Sequence, residues 1–300
     1  MLENFKVDLQ AVGEKGALKG LLQKKFTREL EVSELELESL WTSNSYGLDK
    51  VDIFKGSQFE IQKEILKKCA LSRLEEAYHI EKAGMAYGGK MIVLGDSLEE
   101  RKFYATFVSE EAQHFHYLEE ILGYHPIGIE QNAFVKLLEN LIEVGAKRPL
   151  IFIVQILLEG WGLEHYQKMA SECTNTSLIS LLGQILKDEA SHHGSGLVLF
   201  NKKDVTLTEK NFILDTLKSF FQMVQVGPVA VLQAIENAKG HLSQAQKITI
   251  LEQIGAYETT AYKLEILKRL MLKAGCNDMV DYLESDKLKP FSYSEMVRAV

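Results

Sequence analysis

Two segments of this 300-residue chain set a carboxylate and an imidazole at a spacing suited to metal chemistry. They are Glu111 with His114 in SEEAQHFHYLEE, and Glu189 with His192 in KDEASHH. An offset of three stacks both side chains on one face of a helix, within reach of a single ion. The first face also carries Tyr104, Phe107, Leu118 and Ile121; the second carries Leu178, Leu182, Ile185, Gly196 and Leu199. These stripes are largely apolar, so they point inward and take the Glu and His with them. A buried charge is costly unless it is paired or bound to a metal. One Glu-x-x-His is weak evidence, since Glu110, His116 and Glu119 lie close by without sharing the stripe. Two such pairs, each preceded by a helical stretch with a mid-span glutamate, form the ligand set of a dinuclear carboxylate site in a four-helix bundle.

The elements that must position these residues read as helices throughout. Four prolines in the whole chain, with long stretches of Leu, Glu, Lys and Ala, give an all-α expectation. Ser57 with Glu60 reads as a capping box opening a helix to about Tyr87, where Gly88 and Gly89 could end it. Ser97 with Glu100 opens the helix that carries Glu111 and His114 and stops near Gly123. Tyr124 to about Gln131 is a connection, and Asn132 to Val144 is a crossover helix. A third long helix starts near Pro149 and runs to about Glu172; a fourth follows from Asn175–Ser177 to about Phe200. Thr206 with Glu209, and Ser243 with Gln246, cap two further helices, the first with a kink at Gly227–Pro228. Ala17 to Trp41 has room for short helices, and 42–56 reads as a loop. The resulting plan is an N-terminal arm (1–57), a metal-binding core (58–200) and a C-terminal helical extension (201–300) packed on it.

Facing residues of an antiparallel hairpin lie about equally far from its turn. A turn near Thr174 sets Glu189 opposite Glu159, inside the apolar run IFIVQILLEG; Glu164 lies too near the turn. A turn between Met91 and Gly95 sets Glu111 opposite Glu76, with Glu75 and Glu81 as alternatives, and His79 serves a neighbouring carboxylate. The expected metal ligands are therefore Glu76, Glu111, His114, Glu159, Glu189 and His192. Oxygen and nitrogen donors without thiolate suit two iron ions, or manganese or a mixed pair.

This arrangement resembles the ferritin-like di-iron carboxylate superfamily over roughly residues 58–200. Within it the likeness is to the oxygen-activating members: ribonucleotide reductase small subunits, bacterial multicomponent monooxygenases, aldehyde-deformylating oxygenases and arylamine oxygenases. KDEASHH is similar to the fourth-helix motif of the aldehyde-deformylating enzymes, while the total length and the helices after Thr206 depart from them. The resemblance implies a ferritin-like bundle and a non-haem di-iron oxidoreductase, an oxygenase or oxidase that uses O2 on an apolar organic substrate. Electrons would come from a separate donor protein, because no flavin or thiolate iron–sulfur motif is present. A homodimer is compatible with this class. Ferritin-type iron storage is the alternative, and the C-terminal extension argues against a simple cage subunit.

Composition narrows the remaining classes. A formal net charge of −8, with only short basic clusters such as Lys24–Lys25, argues against a nucleic-acid partner. Three scattered cysteines fit neither a disulfide framework nor a Cys-based zinc site. The start, MLENFKVDLQ, does not read as a signal peptide, so a cytoplasmic location is expected. The most apolar run, Pro149 to Leu158, is far short of the ~20 residues needed to span a bilayer.

Overall fold

A computed structural model describes residues 5–7, 9, 22, 35–123 and 133–299. Among them every regular element is helical, apart from one isolated bridge between Trp41 and Cys173. The long helices are α1 (Phe59–Leu94), α2 (Leu98–Leu122), α3 (Ala133–Val144) and then α4 (Lys147–Leu150), which runs into a π-helical segment (Ile151–Leu158) and α5 (Glu159–Glu172). They are followed by α6 (Thr176–Leu199), α7 (Leu207–Gln225), α8 (Val229–Lys239), α9 (Gln244–Gln253), α10 (Ala256–Lys273), α11 (Asn277–Glu284) and α12 (Tyr293–Ala299). No described helix is long and apolar enough to cross a membrane. The expected connection at 124–131 lies outside the described residues, as does most of the expected helical stretch at 17–41.

Three of the four expected caps form: the Ser97, Thr206 and Ser243 side chains accept from backbone N–H groups of the first turns of α2, α7 and α9, and Asn175 caps α6 in the same way. The box at Ser57 does not form as expected: its hydroxyl is donated to the Ile53 carbonyl at 2.6 Å, and α1 begins at Phe59. The loop expected at 42–56 is instead a series of tight turns, with 3-10 turns at Ser43–Tyr46 and Leu48–Lys50 and one α-turn at Asp52–Lys55. The single kinked helix expected after Thr206 is two helices, separated where Gly227 adopts φ 81° before Pro228. The helix expected from Ser243 onward also divides, at Gly255 with φ 67°; only glycine takes that conformation without strain.

The chain divides into two compact units: Met1–Leu35 with Arg73–Lys147, and Glu36–Ser72 with Arg148–Val300. The boundaries expected at 57 and 200 both fall inside the second unit. In the first unit the C-terminal half of α1 forms an antiparallel hairpin with α2. Tyr78 meets Phe115 with ring centroids 4.7 Å apart, and Tyr87 meets Phe107 at 5.6 Å. Gly88 does not end α1. A Cβ there would lie 2.7 Å from Val108 and 2.9 Å from Phe107, so the glycine is a close contact between α1 and α2. Lys90 is buried, and its ammonium donates to the carbonyls of Ile142, Glu143 and Gly145 at 2.6–2.9 Å. Those are among the free carbonyls that end α3, where a cation also complements the helix dipole.

In the second unit α5 and α6 form the other hairpin. Its turn is clamped by the segment before α1: Trp41 Nε1 donates to Met169 O at 3.0 Å, and Thr174 Oγ1 donates to Ser39 O at 2.6 Å. Phe152 stacks on Phe200 at 5.1 Å near the open end. The helix α10 packs on the π segment, α5 and α7. Leu217, Phe221, Leu251, Leu264 and Leu267 are buried in this C-terminal assembly.

Lys90 supplies the test of how α3 is held. Its replacement by methionine keeps the apolar stem but leaves three carbonyls without their charged donor. Urea unfolding of Lys90→Met should show a loss of about 2–3 kcal/mol. Unchanged stability would mean that water serves those carbonyls equally well.

Candidate metal centre

Each unit buries two glutamates and one histidine close together, and the two triads are built in the same way. In the first, Glu81 comes from α1 and Glu111 and His114 come from α2; all three are buried. One ligand atom from each lies within 4.8 Å of the others. His114 Nδ1 is 3.1 Å from Glu81 Oε2. Burial in the first place, and the neighbouring Glu81 carboxylate in the second, push the Glu111 carboxyl well above its ordinary range. The His114 imidazole opposes that shift without cancelling it.

Glu76, the expected α1 ligand, is half-buried and outside this triad, whereas the alternative Glu81 is within it. The reason lies in the hairpin register. Because Gly88 is a packing contact, α1 continues to Leu94 and α2 begins at Leu98, so the turn centres on Asp96. The residue as far before Asp96 as Glu111 lies after it is Glu81. Glu76, five residues earlier, points roughly 140° away around the helix.

Gly84 makes the cradle. It lies on α1 beneath the Glu111 carboxylate, and a Cβ there would be 2.8 Å from the Glu111 carboxyl carbon. Only a glycine leaves room for a carboxylate turned inward at this point. His79, expected to serve a neighbouring carboxylate, is buried on the same stretch of α1, edge-on to Tyr78.

In the second triad Glu159 comes from α5 and Glu189 and His192 come from α6; all three are buried. His192 Nδ1 is 4.0 Å from Glu159 Oε2 and 4.0 Å from Glu189 Oε1. The turn centres on Thr174, as expected, and sets Glu189 across from Glu159. Glu159 begins α5 directly after the π segment, and its N–H bonds to Val154 O, five residues back. The rejected Glu164 is exposed and accepts from Tyr262 Oη at 2.6 Å. His116, set aside as facing away, is half-buried beside Glu120 at 3.4 Å.

The donors fit a first-row metal. Two donors each ~2.1 Å from one ion lie roughly 3–4 Å apart, depending on the angle at the metal. The separations of 3.1 Å and 4.0 Å fall in that interval. The set is oxygen and nitrogen only, enclosed from water and rich in carboxylate, which suits iron or manganese better than a thiolate-seeking metal.

Gln155 and Gly84 were not singled out from the sequence, and Gly196 was placed on the second stripe without a packing role. Gln155 carried the same signal as Glu159, a polar residue in an otherwise apolar run. Gly84 had none, because a helical glycine reads as a weakness until its neighbour is known. Comparison of the chain with protein-family models, curated proteins and solved structures gives no match.

The raised Glu111 carboxyl gives the metal-free protein a pH signature. A carboxyl whose folded value lies above its unfolded one binds its proton more tightly in the native state. Stability therefore falls as pH rises from the ordinary value of 4.5 toward the folded one. Urea unfolding of the metal-free chain from pH 4.5 upward should show that decline, and Glu111→Gln should flatten it. A profile unchanged in the variant would mean that the Glu111 carboxyl does not set this slope.

Proposed function

We propose that the two triads together hold one carboxylate-bridged pair of metal ions in a ferritin-like four-helix core, and that the protein is a non-haem di-iron oxidoreductase. The observation that carries this reading is the repetition of one buried Glu, Glu, His triad in two helical hairpins. Glu81, Glu111 and His114 would hold one ion, and Glu159, Glu189 and His192 the other. Glu111 and Glu189 would each act together with the histidine on its own helix in holding the ions. A reduced iron pair at such a site supplies the electrons to activate O2 for the oxidation of an organic substrate.

The protein residues would do the remaining work. The four carboxylates would supply negative charge to offset that of the two cations. Phe107 and Ile156, both buried, exclude water from the neighbourhood of the ligands. Trp161, two residues after Glu159, is turned away from it onto Phe220 at 5.6 Å and Lys263 at 5.8 Å. An apolar organic substrate would suit these apolar surroundings. The electrons would come from a separate donor protein.

The decisive measurement is metal content. The apoprotein should take up about two Fe(II) per chain, and Glu81→Ala, Glu159→Ala or Glu189→Ala should each cut that uptake sharply. Glu110→Ala and His116→Ala should not. Full uptake in both Glu159→Ala and Glu189→Ala would remove the site. Accumulation of hundreds of iron atoms by a hollow oligomer would replace the oxidoreductase with a storage protein.

A further inference from the structure

Gln155 sits in the middle of the π segment and is fully buried among Ile, Val, Leu and Phe. Burying a primary amide is unfavourable unless its donors are satisfied, and the bonds it makes are specific. Its Nε2 donates to the backbone carbonyl of His192 at 3.2 Å and to Ser195 Oγ at 2.9 Å. The Ser195 hydroxyl in turn donates to the same His192 carbonyl at 2.7 Å. Two side chains from two elements thus converge on the main-chain oxygen of one candidate ligand.

The backbone is arranged to permit that contact. A Cβ on Gly196 would lie 2.8 Å from the Gln155 Cβ and 3.2 Å from its carbonyl carbon. The glycine lets the π segment lie directly against α6 one turn beyond His192. The wide turn also ends in the bond from Glu159 N–H to Val154 O, so it sets the start of α5. One short segment therefore positions Glu159 by its own backbone and His192 by the Gln155 amide. A uniform α-helix would rotate Gln155 and Glu159 relative to α6 and could not keep both contacts.

We propose that Gln155 is a positioning residue for metal binding: it latches the π segment to the His192 carbonyl and so holds His192 at its ion-accepting separation from Glu159 and Glu189. Ser195 is the second half of the latch. The proposal rests on the dinuclear reading above, and adds to it that the Glu159–Glu189–His192 half is preorganised before a metal arrives. Groups of this kind, which orient a ligand without touching the metal, typically change affinity by about 10–100-fold when removed.

The test is titration of the intact apoprotein with Co(II), followed by calorimetry and by the visible absorption of the bound ion. The wild-type chain should bind two ions. Gln155→Met, which keeps the length of the side chain but removes the amide, should weaken one of them by at least about tenfold and change its absorption bands more than those of the other. In a His192→Ala background the same substitution should add no further loss, because the latch acts through that residue. Leu251→Ala, a core change in the same unit, should lower the melting temperature without moving either affinity or either spectrum. Should Gln155→Met fail to fold, Ser195→Ala carries the same prediction with a several-fold effect. Two wild-type sites unmoved by Gln155→Met or Ser195→Ala would overturn the latch alone; a wild-type chain that binds no ion would overturn it together with the dinuclear reading.

Discussion

Carboxylates held out of water are the constraint on which the rest of this structure depends. Glu81, Glu111, Glu159 and Glu189 are all buried on helices whose other inward residues are apolar. At Glu111 burial disfavours the ionised form, and the Glu81 carboxylate nearby adds to the cost. The His114 imidazole relieves part of that cost. Two divalent cations would offset the remainder, which is why the metal reading follows from the energetics as well as from the spacing.

The packing around the triads follows from the same need. Glycine in a helix interior costs roughly 1 kcal/mol relative to alanine, yet Gly84, Gly88, Gly160 and Gly196 all lie in helices beside triad elements. At each, an added Cβ would come within 3 Å of a neighbouring side chain. Gly84 makes room for the Glu111 carboxylate, Gly160 for the His193 ring, and Gly196 for the backbone at Gln155. His193, next to the candidate ligand His192, bonds through Nδ1 to the Ile156 carbonyl in the π segment at 3.1 Å. Burial and the Lys273 ammonium both lower its affinity for a proton, so it acts as a neutral tie between α6 and the π segment. Local helix stability is given up where close approach of backbones is required.

The helical class, α2, α6 and the second triad were legible because they rest on periodicity, caps and a tight turn. Asn175 caps α6 and Thr174 is fixed by Ser39, so the register there has little freedom. The first hairpin misled for a physical reason. Gly88–Gly89 has the composition of a helix end, and only the side chains of Phe107 and Val108 reveal it as a contact surface. That one misreading shortened α1 and moved the facing glutamate from Glu81 to Glu76. The π segment was illegible for a different reason: Ile151–Leu158 is buried almost throughout, so its hydrophobic pattern has no period from which a wide turn could be distinguished. The divisions at Gly227 and Gly255 depend on single positive-φ residues, whose conformation composition suggests but does not settle.

The central claim is that the two triads serve one pair of ions. The most direct measurement is a crystal structure of the iron-loaded protein with anomalous differences recorded at the iron edge. Two peaks about 3.5–4 Å apart, one bounded by Glu81, Glu111 and His114 and the other by Glu159, Glu189 and His192, are the predicted result. Peaks that avoid these residues, or an iron-loaded crystal in which either triad holds no metal, would contradict it.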